Sequence, residues 1–530
     1  KRESADFLTA SFGDQTISFS SLLFLWAAAA AVVIIKKSLG IAKWAGPADS
    51  MYSAHQLNVP FNIKQGLAST LAAFASISGG ASVGQYGPIV HFGATVGIIT
   101  SKLQLRKRLG FNRLPREIYL ACGVAAAISA GFNAPIAGII FAHEAILRHF
   151  SVRAIAPITV SSIAASSVGG YLFPHTATFK IDAAAPALAE VVPFLVIFSP
   201  IFAITAIAFM VSIRYSTKIA ASISVNPTIL PFIGATACGL VGLFVPQALG
   251  LGVSNINDMI AGEYIVPMLI SVLIAKIFMT SACIGFGVFG GVFSPALFIG
   301  VAAGALTTKL LVALGFNDIA SVVTVAAMAA VSASVIGAPL SAVLIVLELS
   351  QSYEYAVAAM IAVMVCSLIT HRLFGHSFFD RQLLDRGVDL IKGREAIALE
   401  NQVLEPYASQ DHISVRKSDT GNTAREHMER REQTEAYVVD EGGILLGKLN
   451  IHQAISCGDD TVNTHMDKNP ALLYADDSLK QAMIKVSDFV GESLPVVHKK
   501  STQMAGSIAE GELFQAVIDV QSQARTIERD

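Results

Sequence analysis

The chain has 530 residues, of which 53% are hydrophobic and only 14% charged, and its mean hydropathy is +0.59. A typical soluble domain carries about 25% charged residues, so this composition excludes a wholly soluble enzyme. Residues 1–390 hold 22 basic and 16 acidic residues, whereas residues 391–530 hold 15 and 23. This imbalance predicts a polytopic membrane domain over 1–390 and a water-soluble domain over 391–530.

Charge-free stretches mark the spans of the predicted membrane domain. Ile17–Ile35 and Val191–Ile213 have the length of a single membrane-spanning helix, about 20 residues. Longer apolar stretches are interrupted by proline, as at Pro88, Pro295 and Pro339. Helices broken at membrane depth are tolerated where they line a cavity, and their N-termini carry unpaired N–H groups that suit an anion. The pattern therefore predicts a channel or transporter with an internal anion site.

One basic run interrupts the apolar sequence of the first domain. Ser101–Glu117 carries six basic residues and one acidic residue. By the positive-inside rule, we expect this run to be a cytoplasmic loop.

The predicted membrane domain contains an internal repeat. Gly84–Gly97 resembles Gly291–Gly304 at an offset of 207 residues, and Phe132–Glu144 resembles Ile336–Glu348 at an offset of 204. Matching broken segments in two halves of a chain indicate a binding site near the membrane midplane, at the interface of the repeats.

The soluble tail is also repetitive. Short strand-like runs alternate with helical stretches, as in Ala436–Asp440, Ile444–Ile455, Ser493–His498 and Met504–Val517. Val438 matches Val496 and Gly447 matches Gly506, which predicts two α/β units of roughly 60 residues each.

Several other classes of site lack support in the sequence. The five cysteines are odd in number and widely spaced, which predicts neither a disulfide framework nor a metal site. There is no nucleic-acid motif and no nucleophile–base constellation. We therefore expect no enzymatic activity, no metal and no nucleic-acid partner.

Four motifs in order resemble the CLC family of chloride channels and chloride/proton exchangers, followed by a pair of CBS domains. GQYGP (Gly84–Pro88) is similar to the family's GREGP motif, and FNAPIAGIIFAHE (Phe132–Glu144) to its next signature. GVFSP (Gly291–Pro295) is similar to the GxFxP motif, and HSFFDRQL (His376–Leu383) to the segment that carries a central pore tyrosine. The resemblance implies a mainly α-helical membrane protein with inverted repeats and broken helices, and a cytoplasmic α/β CBS pair. It also implies a homodimer with one chloride pathway per subunit.

The same resemblance places an anion pathway along three backbone segments and one side chain. These positions are Ala45, Gly46 and Pro47, then Gly84, Gln85, Tyr86, Gly87 and Pro88, then Gly291, Val292, Phe293, Ser294 and Pro295, and finally Phe379. Glycines would let the backbone approach the ion closely, although close helix packing is an alternative explanation for them. The first segment lacks the selectivity serine of the family, so anion preference stays open.

The gate differs from the family pattern. Tyr86 stands where the family has a glutamate that competes with chloride and carries a proton, and a phenol with a pKa of about 10 cannot replace that proton chemistry near neutral pH. Phe379 replaces the central tyrosine. One hypothesis is that the Tyr86 hydroxyl supplies the donor lost at Phe379, and the alternative is that Tyr86 is a bulky plug.

The internal proton carrier differs as well. The family's exchangers have a pair of glutamates, of which the first matches Glu144 and the second falls on Ala145. His143 is the one neighbouring residue that could carry protons instead. Glu144 and Glu348 end matching segments, and they are candidates either for a proton path or for a structural role.

Nucleotide recognition in the tail rests on a single carboxylate. The pattern of CBS pairs that bind adenine nucleotides falls on Gly447–Gln453 and Gly506–Glu512, and only Glu512 keeps the acidic position. The alternative is a dimerising, trafficking or gating module without a ligand.

The sequence favours a passive chloride channel without proton coupling, because both proton-carrying glutamates are replaced. The first alternative is a chloride/proton antiporter with a rerouted proton path through His143 or water. A CBS-regulated cation transporter is less well supported, since the apolar stretches hold few carboxylates to bind cations.

Overall fold

The computed structural model describes residues 9–12, 15–55, 61–103, 114–173, 179, 181, 187–316, 319–390, 393–487 and 489–529. The chain divides into two compact units, Lys1–Val388 and Asp389–Asp530. Most of the predicted cytoplasmic loop Ser101–Glu117 lies outside the described residues.

The first unit is built almost entirely from helices. They follow an antiparallel strand pair, Thr9–Phe12 (β1) and Gln15–Ser18 (β2). The described helices are α1 Ser20–Ser38, α2 Pro47–His55, α3 Ile63–Ser78, α4 Tyr86–Lys102, α5 Arg116–Phe132, α6 Pro135–Phe141, α7 Val152–Leu172, α8 Leu188–Ser222, α9 Leu230–Phe244, α10 Val253–Ile260, α11 Val266–Gly285, α12 Phe293–Ala313, α13 Ala320–Ile336, α14 Pro339–Ser350, α15 Tyr353–Phe374 and α16 Phe378–Leu384. A π-helical stretch, Ala142–Leu147, directly continues α6.

Six helical segments of the described chain are long and apolar enough to span a membrane. They are Ser20–Ser38, Val152–Leu172, Leu188–Ser222, Val266–Gly285, Phe293–Ala313 and Tyr353–Leu384. Large apolar side chains on α7 are exposed, as in Val152 (88%) and Tyr171 (91%). A surface of this kind is typical of helices that face lipid or another protein. The mainly helical architecture confirms the predicted fold class.

Matched glycines explain how the helices of each half pack. A methyl group at Gly93 of α4 would lie 2.2 Å from the carbonyl oxygen of Gly123 on α5. At the matching position in the second half, a methyl group at Gly300 of α12 would lie 2.8 Å from the carbonyl oxygen of Ala327 on α13. Small residues permit this close approach of helices in a membrane domain. This part of the sequence repeat therefore reflects helix packing.

The second unit contains two three-stranded sheets with the same topology. The first consists of β3 Ser414–Arg416, β4 Glu435–Val439 and β5 Leu445–Asn450, and the second of β6 Leu473–Tyr474, β7 Ser493–Val497 and β8 Met504–Ala509. The described helices are α17 Gly393–Asn401, α18 Gly421–Arg431, α19 Ile451–Cys457, α20 Leu479–Val486 and α21 Glu510–Arg529.

The two sheets share their register as well as their order. In each, the first two strands are parallel and the last two antiparallel. Val438 pairs with Gly447, and Val496 pairs with Gly506 in the equivalent place, with an irregularity after each valine. The predicted α/β character of the tail and its repeat are confirmed.

Candidate functional site

The two glycine-proline segments of the repeat meet at one point, which we call the junction and define as residues 84–88 and 291–295. The Gly84 N–H donates to the Gly291 carbonyl oxygen (2.6 Å), and the Gly291 N–H donates to the Gly84 carbonyl oxygen (2.7 Å). These glycines occupy equivalent positions of the repeat, so the same segment of each half pairs with its equivalent in the other half. The junction therefore places the N-termini of α4 and α12 next to each other.

Glycine is required for this approach. A methyl group at Gly87 would lie 3.1 Å from the Cα of Gly291, and one at Gly291 would lie 2.9 Å from the backbone nitrogen of Gly87. Because the obstructing atoms belong to the backbone, a larger residue would push the segments apart. The packing explanation for these glycines is thereby supported, and their contact with an ion stays a prediction.

Backbone N–H groups without an acceptor in their own helix lie at both helix starts of the junction. The first α-helical hydrogen bond of α4 runs from Ile89 to Gln85, and that of α12 from Ala296 to Val292. The N–H groups of residues 86–87 and 293–294 precede these bonds, so they have no acceptor four residues back in their own helix. Neither helix has a side-chain cap at its N-terminus. Two adjoining helix N-termini with such donors provide a favourable environment for an anion.

Tyr86 is packed into an aromatic cluster at the junction, formed with Phe132 and Phe293. Its ring stacks on Phe132 with centroids 3.8 Å apart, and it lies 5.4 Å from the ring of Phe293. The hydroxyl lies 3.5 Å from the carbonyl oxygen of Gly131, a distance at the outer limit of a hydrogen bond. Tyr86 is only 3% exposed. This environment favours the bulky-plug interpretation of Tyr86.

The Ala45–Pro47 segment reaches the junction, but its N–H groups already have acceptors. Ala45 donates to the Ser69 hydroxyl (2.9 Å), and Gly46 donates to the Asp49 carboxylate (2.8 Å). Proline has no N–H to offer, although a methyl group at Gly87 would lie 3.6 Å from the Pro47 ring. An ion at this segment would have to displace Asp49 or Ser69 from these donors.

Asp49 is a residue that sequence reasoning missed. Its second carboxylate oxygen forms an ion pair with Arg386 (2.7 Å). An aspartate in the first turn of a helix, three residues after Gly46, is the pattern of a side chain that caps the helix N-terminus. That local signal could have identified it.

Phe379 lies on α16 and is buried. Its ring makes an edge contact with Phe378, with centroids 5.8 Å apart, and no described ring contact joins it to the aromatic cluster. The adjacent Asp380 forms an ion pair with Arg148, which follows the π-helical stretch. This ion pair joins the two motif regions that end at positions 144 and 383, and no local sequence pattern indicates it.

Glu144 and Glu348 cap helices of the opposite half. The Glu144 carboxylate accepts the N–H groups of Leu340 and Ser341, both at 2.8 Å, and the Ser341 hydroxyl at 2.6 Å. The Glu348 carboxylate accepts the N–H groups of Ile136 (2.9 Å) and Ala137 (2.8 Å). The positions follow the 204-residue offset of the repeat. This reciprocity favours the structural interpretation of both glutamates.

His143 lies in the π-helical stretch, one residue before Glu144. Its Nδ1 is 3.2 Å from the carbonyl oxygen of His149, and its ring stacks on Phe150. Its Nε2 is buried, without a partner among the described residues. Ala145, at the second glutamate position of the family, offers no titratable group.

His91 on α4 is a second buried histidine that sequence reasoning missed. Its Nδ1 is 2.7 Å from the Ser50 hydroxyl, and its ring stacks on Phe61. Its Nε2 has no partner in the described part of the chain. A lone histidine in an apolar run gives no sequence signal for such a contact.

The second unit contains a polar cavity of about 230 Å³ that includes Glu512. It is lined by Ser409, Asp411, His412, Gln433, Glu435, Tyr437, Glu492, Ser493, Ser507, Ala509 and Glu512. The Glu512 carboxylate accepts the Ala509 N–H (2.9 Å), and Glu435 forms an ion pair with Lys448 (2.7 Å). Burial lowers the pKa of His412, which favours its neutral form. Four carboxylates around a neutral histidine make an unfavourable environment for a polyphosphate.

Comparison with known proteins identifies the family. Residues 27–371 match the family described as the voltage gated chloride channel. This chain belongs to the CLC family. It is therefore a multi-pass integral membrane protein of a family of channels and transporters, which are not enzymes.

Similar proteins include both an exchanger and a channel. The H(+)/Cl(-) exchange transporter ClcA of Vibrio parahaemolyticus is 29% identical over 338 residues, which is 62% of this chain and 71% of ClcA. The voltage-gated ClC-type chloride channel ClcB of Escherichia coli is 24% identical over 340 residues, which is 63% of this chain and 79% of ClcB.

Solved structures share the fold. A slow cyanobacterial Cl-/H+ antiporter superposes with a TM-score of 0.59 at 19% identity, covering 69% of this chain and 87% of its own. A eukaryotic CLC transporter superposes with a TM-score of 0.57 at 18% identity, covering 93% of this chain and 90% of its own. The CLC fold predicted from the four motifs is thus confirmed.

Proposed function

We propose that this member of the CLC family is a passive chloride channel without proton coupling. The observation that carries the proposal is Tyr86, which occupies the gate position at the junction and packs into the aromatic cluster. A phenol held between aromatic rings does not exchange protons with water near neutral pH as a carboxylate would. Chloride would bind at the converging N-termini of α4 and α12, where the backbone supplies donors without a full positive charge.

The internal proton position supports the same conclusion. Ala145 carries no proton, and both oxygens of the neighbouring Glu144 accept N–H groups from α14. Both carboxylate oxygens of Glu144 are thus already occupied by backbone donors. Neither end of a glutamate-based proton path is then available.

Chloride-driven proton movement tests the proposal. The full chain is reconstituted into liposomes with an outward chloride gradient, and the external pH is recorded while chloride leaves. With potassium and valinomycin present to compensate the charge, we expect chloride efflux without proton uptake, and an uncoupler should leave the chloride rate unchanged. Proton uptake in a fixed ratio to chloride would contradict the proposal.

A proton-coupled exchanger is the second candidate, and one observation favours it. The buried Nε2 of His143 has no partner among the described residues, so it could accept a proton from a transient water. His143→Phe would keep the stacking on Phe150 and remove the titratable group. If the wild-type chain moves protons and this variant does not, the exchanger with a rerouted path is the correct assignment.

We also propose that the second unit is a cytoplasmic CBS pair and that the protein is a homodimer. Two equivalent α/β units in tandem support the CBS assignment, and the exposed apolar face of α7 gives a second copy a surface to cover. The carboxylates around Glu512 disfavour adenine-nucleotide binding there, which leaves the alternative of a dimerising, trafficking or gating module without a ligand. The cation transporter has no support here, because adjoining helix N-termini disfavour cations.

A further inference from the structure

A fully buried lysine lies in a predicted membrane span. Lys276 belongs to α11, one of the long apolar helices, and none of its surface is exposed. A charged side chain at membrane depth is costly, and such residues are rare outside functional sites.

The hydrogen-bonding and ring partners of Lys276 are neutral groups, and the thiols of Cys238 and Cys283 also lie near it. Its Nζ donates to the carbonyl oxygens of Gly250 (2.7 Å) and Ala248 (3.1 Å), and it lies 4.9 Å from the ring centroid of Phe298. Among the described residues, no carboxylate forms an ion pair with it. Two carbonyl dipoles and a ring face hold the ammonium group in place without cancelling its net charge.

The surroundings of this ammonium group lead directly to the junction. Ala248 accepts a second hydrogen bond at its carbonyl oxygen, from the hydroxyl of Ser82 (3.1 Å), two residues before Gly84. The Gly250 N–H donates to the carbonyl oxygen of Gly80 (3.0 Å), four residues before Gly84. Phe298 lies on α12, five residues after its first residue. The segments that flank both halves of the junction therefore contact Lys276 or the residues that hold it.

We propose that Lys276 supplies a fixed positive charge beside the junction, which raises anion occupancy there and excludes cations. This inference rests on the proposed chloride conduction. The helix N-termini act on an ion over a short range, whereas a full charge that is buried away from salt acts over a longer one. Lys276 thus adds the long-range attraction that the neutral backbone donors lack.

Charge-neutral variants test this role. The full chain carrying Lys276→Met or Lys276→Gln is reconstituted into planar bilayers, and single-channel current is measured as a function of chloride concentration. At low chloride we expect the current to fall by about tenfold, and saturating chloride should largely restore it. The chloride-to-potassium permeability ratio, obtained from reversal potentials in a KCl gradient, should fall as well.

Two further variants separate charge from packing. Lys276→Arg keeps the charge and should retain the wild-type chloride dependence and permeability ratio. Lys309→Met on α12 removes a lysine whose Nζ also donates to a backbone carbonyl, that of Gly262 (2.8 Å), at a more exposed position. This control should leave both quantities unchanged. A purely structural role would instead lower the number of active channels without changing their concentration dependence.

Several results would overturn the inference. Folded Met and Gln variants with wild-type chloride dependence and selectivity would contradict it, as would a folded Arg variant that is impaired like Met. If neither neutral variant gives a monodisperse protein, Lys276 serves folding and not conduction. If the wild-type chain carries no chloride current at all, the proposed function fails before this inference is reached.

Discussion

Tyr86 is enclosed by rings that belong to two other helices, Phe132 at the end of α5 and Phe293 at the start of α12. An aromatic side chain fixed in this way loses little when its hydroxyl is removed, since its contact with the Gly131 carbonyl oxygen is at the outer limit of a hydrogen bond and its other polar neighbour is the side chain of Gln85. It loses a great deal when the ring is removed, because stacking and buried area disappear together. At the residue scale, the packing of its ring therefore determines the position of Tyr86.

The Tyr86 variants test this directly. We expect Tyr86→Phe to keep chloride conductance within about twofold, because a hydrogen bond at the outer distance limit contributes less than about 1 kcal/mol. Tyr86→Ala should raise conductance several-fold by opening the aromatic cluster. Single-channel recording checks both. A Phe variant that conducts no chloride would support the donor hypothesis and contradict the plug.

The glycines of the junction make a second residue-scale prediction. Gly87→Ala should lower the thermal unfolding midpoint and reduce conductance, because the added methyl group meets the Gly291 backbone at 3.1 Å. Overpacking of this kind costs about 1–3 kcal/mol. Gly46→Ala is the matched control, since a methyl group there would meet no atom within 4 Å. Equal effects at the two positions would show that close approach is not the reason for Gly87.

At the scale of elements, one helix of each half is capped by a glutamate of the other half. Glu144 binds the start of α14, and Glu348 binds the start of α6, so each half fixes a helix end of the other. A charge at a helix N-terminus is stabilising, and hydrogen bonds to a carboxylate are stronger than neutral ones. The arrangement explains why one acidic residue recurs in each half.

Substitution of the capping glutamates should destabilise the protein without altering proton coupling. We expect Glu144→Ala and Glu348→Ala each to lower stability by about 1–3 kcal/mol, since each leaves two backbone N–H groups without an acceptor, one of them on a buried residue. Glu190→Ala on α8, an exposed acidic residue, is the control. Thermal unfolding and the liposome proton assay check the two expectations. Proton movement by the wild-type chain that Glu144→Ala abolishes, at wild-type stability, would favour a proton path instead.

The cavity of the second unit yields a prediction at the same scale. We expect ATP to leave the thermal unfolding midpoint of the full chain unchanged, because Asp411, Glu435, Glu492 and Glu512 line the cavity and repel a triphosphate. Adenosine lacks the phosphates and is the appropriate comparison. A saturable shift with ATP that Glu512→Gln abolishes would contradict this and support the nucleotide site.

At the scale of the whole molecule, the repeat determines where the halves meet. The motifs predicted the family fold, the two α/β units of the tail and the importance of residues 84–88 and 291–295. They could not predict that Gly84 and Gly291 pair with each other, because a repeat offset shows which residues are equivalent and not which residues are in contact. The Ala45 N–H is occupied by the hydroxyl of Ser69, and the buried Lys276 is held by the carbonyl oxygen of Gly250. Both partners are distant in sequence, so no local pattern connects them.

The absence of proton coupling is the central claim, and the reversal potential measures it most directly. In a planar bilayer with a fixed chloride gradient, we expect the wild-type current to reverse at the chloride equilibrium potential. That potential should stay in place when a pH gradient of about two units is added, because a passive chloride pathway does not respond to the proton gradient. A shift of the reversal potential with the pH gradient, toward the value for a fixed chloride-to-proton ratio, would contradict the account.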